Sequence, residues 1–129
     1  MKTIRSLFLI SLFAFITSSF ILKTENDKKL VGIWKGFEKK KQLEGIEKHW
    51  IVQRFSNGKY VIMFTAKQGC EIETFTEKGK WWTKGDVFYE QQEGNESIES
   101  YQYSIKENLV VHFKSLTNTY EFEDYRLED

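Results

Sequence analysis

From Val31 onward, large apolar residues alternate with polar ones in short stretches, a pattern typical of half-buried β-strands. In the second stretch, Trp50 and Val52 share one face while His49 and Gln53 share the other. Eight such stretches are predicted, at 31–40, 47–55, 59–66, 70–83, 87–92, 97–106, 109–115 and 119–127. Their spacing, roughly 8–12 residues, is typical of an all-β sandwich or barrel.

The connections between the predicted strands are short, and several carry turn residues. Asn57-Gly58 predicts a hairpin, because both residues tolerate the positive φ that tight turns require. No stretch after Leu22 keeps apolar residues at helical spacing, so each strand is expected to pair with the next. Pairing of the first strand with the last would remove both exposed edges. We therefore predict an all-β domain, an eight-stranded antiparallel up-and-down barrel.

The amino terminus carries a different pattern, a long apolar segment behind two basic residues. Lys2 and Arg5 precede an uncharged run from Ser6 to Leu22, which matches the basic and apolar regions of a secretory signal peptide. Small residues place the cleavage site near Ser19-Phe20. The uncharged run has 17 residues, the short end of the roughly 17–25 that a spanning helix needs, so an uncleaved anchor is the alternative.

These patterns divide the chain into three parts. They are a signal peptide at 1–19, a polar N-terminal segment at 20–29 and the barrel domain at 30–129. A cleaved signal peptide predicts a secreted or periplasmic protein. A membrane is expected as a partner only through the signal segment, if that segment stays uncleaved.

Charge and cysteine content narrow the classes of partner. Removing Lys2 and Arg5 leaves 17 basic residues against 19 acidic ones, a net charge of −2. Nucleic acids need a basic surface, so no nucleic-acid partner is expected. Cys70 is the only cysteine, which excludes an intrachain disulfide. Because free Cys behaves as a small hydrophobe, Cys70 is expected to be buried, with pairing to another chain as the alternative.

The first and last predicted strands carry residues that resemble those of a known family. Gly32-Ile33-Trp34 opens the first strand and Tyr125-Arg126 lies in the last, which resembles the lipocalin and wider calycin pattern. The resemblance implies that Trp34 plugs one end of the barrel and that Arg126 lies across its ring, with Gly32 leaving room beside it. Stacking of a guanidinium on an indole is physically favourable. Glu77-Lys78-Gly79-Lys80-Trp81 and Lys84-Gly85-Asp86 further resemble small bacterial lipocalin-like domains.

Successive side chains of a strand point to opposite faces, so alternate positions share a face. This alternation, which we call strand parity, predicts which aromatic residues face the interior. The set is Trp34, Trp50, Phe64, Phe88, Tyr101, Tyr103, Phe113, Tyr120 and Phe122. These rings either line a pocket or simply fill a narrow barrel. The leading hypothesis is a pocket at the mouth opposite Trp34 that binds a small hydrophobic or amphipathic molecule. Its predicted ligand-binding residues are Trp50, Phe64, Tyr101, Tyr103 and Phe113, while Gly32, Trp34 and Arg126 close the barrel.

A second hypothesis is a ligand-free barrel that binds another protein or a component of the cell envelope. It predicts a packed interior and an exposed apolar patch. Trp81 and Trp82 are adjacent on a strand, so one of the two should face outward and contribute to such a patch.

The sequence carries no motif of a catalytic, metal or cofactor site. His49 and His112 have outward parity, and no Gly-x-Ser-x-Gly or His-Glu-x-x-His motif is present. The acidic cluster at the end of the chain is interpreted as a charged outer face; its members are Glu121, Glu123, Asp124, Glu128 and Asp129. We therefore expect no enzyme, no catalytic residue, no metal and no cofactor. An enzyme would need a buried polar cluster with perturbed ionisation inside a cleft.

Overall fold

The protein is a closed β-barrel. A computed structural model describes residues 24–38 and 44–127. Within them, eight strands each pair antiparallel with the next, and the first also pairs with the last. The strands are β1 (Gly32–Glu38), β2 (Glu47–Arg54), β3 (Lys59–Gln68), β4 (Glu71–Lys84), β5 (Val87–Gln92), β6 (Glu99–Lys106), β7 (Val110–Ser115) and β8 (Glu121–Arg126). The predicted all-β up-and-down architecture is confirmed, with every strand in the predicted order.

One short 3-10 helix, Lys28–Leu30, precedes β1. In the described part of the chain, no helix has the length and apolar character needed to cross a membrane. The predicted signal peptide at 1–19 lies outside the described residues, as do Glu128 and Asp129.

One end of the barrel is closed by Trp34. Its side chain is fully buried, and its indole Nε1 donates a hydrogen bond to the carbonyl of Leu30 at 2.9 Å. The Arg126 guanidinium lies 4.2 Å from the centre of the Trp34 ring, the stacking expected from the sequence. Gly32 has a φ of +131°, and a Cβ there would lie 2.8 Å from Arg126 Nη1. Gly32 therefore provides both the backbone conformation and the space that the plug requires.

Arg126 also ties three loop carbonyls to the plug. Its nitrogens donate to the carbonyls of Val31 at 3.0 Å, Lys29 at 2.6 Å and Asn108 at 3.0 Å. We expect Arg126→Ala to lower the free energy of unfolding by about 2 kcal/mol, since stacking and charged hydrogen bonds are lost together. Urea denaturation followed by Trp fluorescence measures this loss.

Arg126→Lys is the informative comparison, because it keeps the charge but not the planar fork. We expect it to recover less than half of the loss. Full recovery by lysine would show that charge alone, and not stacking on Trp34, holds this end of the barrel closed.

The interior is filled mainly by the rings that strand parity predicted. All nine predicted inward residues are buried or packed against the buried core. Trp81 is the inward member of its pair, since only 1% of it is exposed. Trp82 is half-buried on the outer face, where it stacks on Tyr89 with ring centres 5.6 Å apart.

The expectation that Cys70 is buried is wrong, because Cys70 is exposed. Strands β3 and β4 stay paired as far as Gln68 and Glu71. Their hairpin therefore turns at residues 69–70, where Gly69 has a φ of +60°. At the tip of a hairpin there is no second layer against which a thiol can pack.

Candidate functional site

A pocket opens inside the barrel at the end opposite Trp34. Strands β1, β3, β5 and β7 end there, and we call this end the mouth. The pocket encloses about 310 Å³. Its aromatic wall consists of Trp50, Phe64, Tyr101, Tyr120 and Phe122, and its charged lining consists of Lys48, Arg54, Glu77, Glu90 and Glu99. We call this space the mouth pocket.

Three of the five predicted ligand-binding residues line the mouth pocket: Trp50, Phe64 and Tyr101. Phe113 does not line it; its ring is fully buried and stacks on Phe122 with centres 4.6 Å apart. Tyr103 lies towards the closed end, where its hydroxyl donates to the Asp27 carboxylate at 2.7 Å.

A buried ion pair underlies the pocket. Arg54 Nη2 lies 2.7 Å from Asp124 Oδ2, and the two side chains are 3% and 0% exposed. The Trp50 indole donates to the other Asp124 oxygen at 2.9 Å. The interpretation of Asp124 as part of a charged outer face is therefore wrong. Asp124 has the same parity as Phe122, and in the closed barrel it meets Arg54 across β1.

Gly36 makes room for this arrangement. A Cβ at Gly36 would collide with the Trp50 indole nitrogen and with Asp124 Oδ1. Gly36 is paired directly with Trp50 on one side and with Asp124 on the other. The absence of a side chain at Gly36 thus allows Trp50 and Asp124 to meet across β1.

The Arg54 guanidinium has donors to spare. Its Cζ lies 5.0 Å from the centre of the Phe88 ring and 5.2 Å from that of Phe113, so the cation is held between aromatic faces. Its Nε and Nη1 are buried and have no hydrogen-bond partner in the described structure. An unsatisfied buried donor costs roughly 1–3 kcal/mol. Arg54 therefore offers unused donors at the bottom of the mouth pocket.

Two carboxylates stand opposite one another on the pocket wall. Glu90 on β5 and Glu99 on β6 are direct cross-strand partners, an arrangement that is unfavourable for like charges. Burial, and next the charge of Glu99, raises the pKa of Glu90 to about 8. Glu99 accepts a hydrogen bond from the Tyr101 hydroxyl at 2.6 Å. Glu90 is therefore expected to hold a proton at neutral pH.

Glu77 on β4 extends this acidic wall. Burial, and next the charge of Glu99, raises the pKa of Glu77 as well. Burial followed by the charge of Glu90 likewise raises the pKa of the Tyr101 hydroxyl, which stays protonated. The sequence did not reveal this polar cluster, in which Glu77 and Glu90 are half-buried and Glu99 is exposed. Such clusters occur at active sites and also in purely structural ion pairs.

Strand parity was the signal that could have found these residues. On β2, Arg54 points to the same face as Trp50 and Val52. Glu90 shares a face with Phe88 on β5, and Glu99 shares a face with Tyr101 on β6. The predicted inward set contains only aromatic residues, because charged residues are rarely buried. A count by parity without regard to polarity would have placed all three in the interior.

A larger depression, about 920 Å³, lies on the outside of the barrel beside β4. It is bordered mainly by exposed side chains, among them Lys59, Lys78 and Lys80. We place the candidate site in the mouth pocket instead, because rings and partly buried charges converge there.

The rest of the described structure offers no further candidate site. Within residues 24–38 and 44–127, no group of three or more His, Cys, Asp or Glu side chains is placed to hold a metal ion. His49 is exposed, and His112 is half-buried with its Nε2 3.9 Å from Glu121. No protein-family model and no curated protein matches this chain.

Proposed function

We propose that this protein is an exported, lipocalin-like protein that binds a small hydrophobic or amphipathic molecule in the mouth pocket. The observation that carries the proposal is an interior pocket lined by five aromatic rings and five charged side chains. Ligand pockets typically combine apolar walls with convergent polar groups. Export is proposed from the basic and apolar pattern of residues 1–19.

The dimensions of the pocket favour a small ligand. Its volume, about 310 Å³, lies at the lower end of the roughly 300–1,000 Å³ range of ligand sites. Phe64 and Trp50 have ring centres 6.0 Å apart, and Trp50 and Phe122 5.4 Å. These rings supply apolar surface, and Arg54 supplies donors that can orient a polar end of the ligand.

Native mass spectrometry of the protein purified gently from its own host tests the proposal. We expect an adduct of fixed mass in addition to the bare chain. Phe64→Ala removes a ring from the pocket wall and should reduce adduct occupancy at least about tenfold, since a buried aromatic ring contributes more than 1.4 kcal/mol.

Phe37→Ala is the matched control. Phe37 lies on the outer face, where it stacks on Tyr125 with ring centres 5.6 Å apart. This variant should keep the adduct. A bare chain that also fails to take up the neutral dye Nile red would contradict the proposal.

One observation favours a protein-binding module as the second candidate. Apolar side chains lie exposed and adjacent on the outside of four neighbouring strands: Ile33, Phe37, Ile51, Val61, Met63 and Tyr125. Ile51 and Met63 are direct cross-strand partners. Exposed apolar patches of this kind mark interaction surfaces in many proteins. A bare chain whose association with an envelope protein is abolished by Ile51→Lys would favour this candidate.

A further inference from the structure

The charges that line the mouth pocket do not balance. Lys48 Nζ lies 3.5 Å from Glu38, and Arg54 is paired with Asp124. Each of these two cations is therefore paired with a carboxylate that does not itself line the pocket. Three carboxylates then remain without a salt-bridge partner among the described residues: Glu77, Glu90 and Glu99.

This surplus lies beside aromatic rings. Tyr101 donates to Glu99, and its ring packs edge-on against Phe122 at 5.2 Å. Carboxylates next to aromatic faces form an environment that stabilises an organic cation, through ion pairing and through the ring quadrupoles. An anionic ligand would add to the charge repulsion that already raises the pKa of Glu90.

A second observation shows that the protein's own groups do not complete this site. Arg54 is 3% exposed and lines the pocket, yet its Nε and Nη1 lack hydrogen-bond partners in the described structure. Buried donors are nearly always paired. The pocket therefore calls for an acceptor oxygen at Arg54 in addition to a cation at the carboxylates.

We propose that the mouth pocket binds a small organic amine, whose ammonium group pairs with Glu90 and Glu99 and whose hydroxyl or carbonyl oxygen accepts from Arg54. This inference rests on the proposed function, since it specifies what the pocket binds. Binding exchanges a proton for a cation: the ammonium enters, and the proton held by Glu90 leaves to solvent. The apolar body of the amine packs against Trp50.

A series of three probes that differ only in one end group tests the charge preference. Tyramine, tyrosol and para-hydroxyphenylacetate share a phenol ring and end in an ammonium, a hydroxyl and a carboxylate. We expect the unmodified protein to bind tyramine at least about tenfold more tightly than tyrosol, because a charge-assisted hydrogen bond is gained. Para-hydroxyphenylacetate should bind more weakly than both. Isothermal titration calorimetry at pH 8 measures all three affinities.

Two further measurements distinguish the carboxylates and the arginine. The double variant Glu90→Gln, Glu99→Gln should bind tyramine and tyrosol with similar affinity, while Glu93→Gln should keep the preference. Glu93 is the matched control because its side chain is 66% exposed and lies outside the pocket. Phenethylamine, which lacks the phenol oxygen, should bind more weakly than tyramine if Arg54 uses that oxygen.

The proton exchange predicts a pH dependence. Below pH 8 Glu90 holds a proton that the ammonium must displace, so tyramine affinity should rise as the pH increases from 6 to 8. We expect a change of roughly tenfold or more, while the amine itself stays protonated as a lysine would. Groups that face Glu90 from the surrounding strands are Arg54, Glu77, Glu99, Tyr60, Tyr101, Tyr120 and Asp124. Protons released on binding are counted by repeating the calorimetry in buffers of different ionisation enthalpy.

The outcomes separate this inference from the proposed function. Equal or tighter binding of tyrosol or para-hydroxyphenylacetate would overturn the amine preference and leave a binding pocket. The same holds if no probe binds while Nile red or a co-purified neutral molecule occupies the mouth. If no probe, dye or co-purified molecule binds, both the inference and the proposed function fail.

Discussion

Replacing Asp124 with alanine is expected to lower the free energy of unfolding by about 3–5 kcal/mol, because it leaves a buried arginine without its counter-charge. Arg54 and Asp124 are joined at 2.7 Å, and neither is more than 3% exposed. The substitution also removes the acceptor of the Trp50 indole. Urea denaturation at pH 7, followed by Trp fluorescence, measures the loss.

Glu123→Ala is the matched control, since Glu123 precedes Asp124 but has outward parity. Its carboxylate accepts an exposed hydrogen bond from the Tyr125 hydroxyl at 2.7 Å. Exposed contacts of this kind are typically worth below about 1 kcal/mol. If Asp124→Ala costs no more than Glu123→Ala, the buried pair does not contribute as we describe.

A double substitution separates the loss of a charge partner from the loss of packing. Arg54→Met with Asp124→Asn removes both charges and keeps an acceptor for the Trp50 indole. We expect it to recover most of the stability lost in Asp124→Ala, since a buried ion pair often contributes little beyond its uncharged equivalent. A double variant as unstable as Asp124→Ala would instead assign the effect to packing.

Replacing Glu90 with glutamine is expected to stabilise the protein by about 2–4 kcal/mol at pH 8.5 and to change little at pH 4. The pKa of Glu90 is about 8 in the folded protein against 4.5 as its ordinary value. Between these values the folded state retains a proton that the unfolded state has lost. Stability of the unmodified protein therefore falls as the pH rises from about 4.5 to 8.

Glutamine reproduces the shape of the protonated acid and cannot ionise, so Glu90→Gln should remove this decline. Urea denaturation at pH 4, 6 and 8.5 measures it. Glu93→Gln, at an exposed position on the adjoining turn, should leave the decline unchanged. The same decline in Glu90→Gln would show that another group titrates in this range.

The mouth pocket explains why a small barrel carries such costly groups. A barrel of this width can be filled by its own side chains. Around the fully buried Phe113, side chains do fill it. Towards the mouth, polar residues replace apolar ones, and two donors of Arg54 are left unused. Natural proteins tolerate such departures from good packing mainly at functional positions.

Alternation of apolar and polar residues was enough to predict the architecture. Strand parity has a period of two, so a sequence such as Trp50 to Arg54 determines which side chains share a face before any contact is known. Turn residues such as Asn57-Gly58 marked where strands reverse. The stacking of Arg126 on Trp34 was also expected, because the resemblance to the lipocalin pattern implies it and a guanidinium stacks favourably on an indole.

Only the tertiary structure decided what the interior contains. Asp124 meets Trp50 and Arg54, residues 74 and 70 positions away in the chain. Such contacts depend on the register and stagger with which the sheet closes. Local periodicity in the sequence does not encode that register. The same closure sets Glu90 against Glu99 and leaves Cys70 at a hairpin tip. The sequence by itself thus determined the barrel and its inward faces, while the three-dimensional register decided which charges meet inside and where space remains for a ligand.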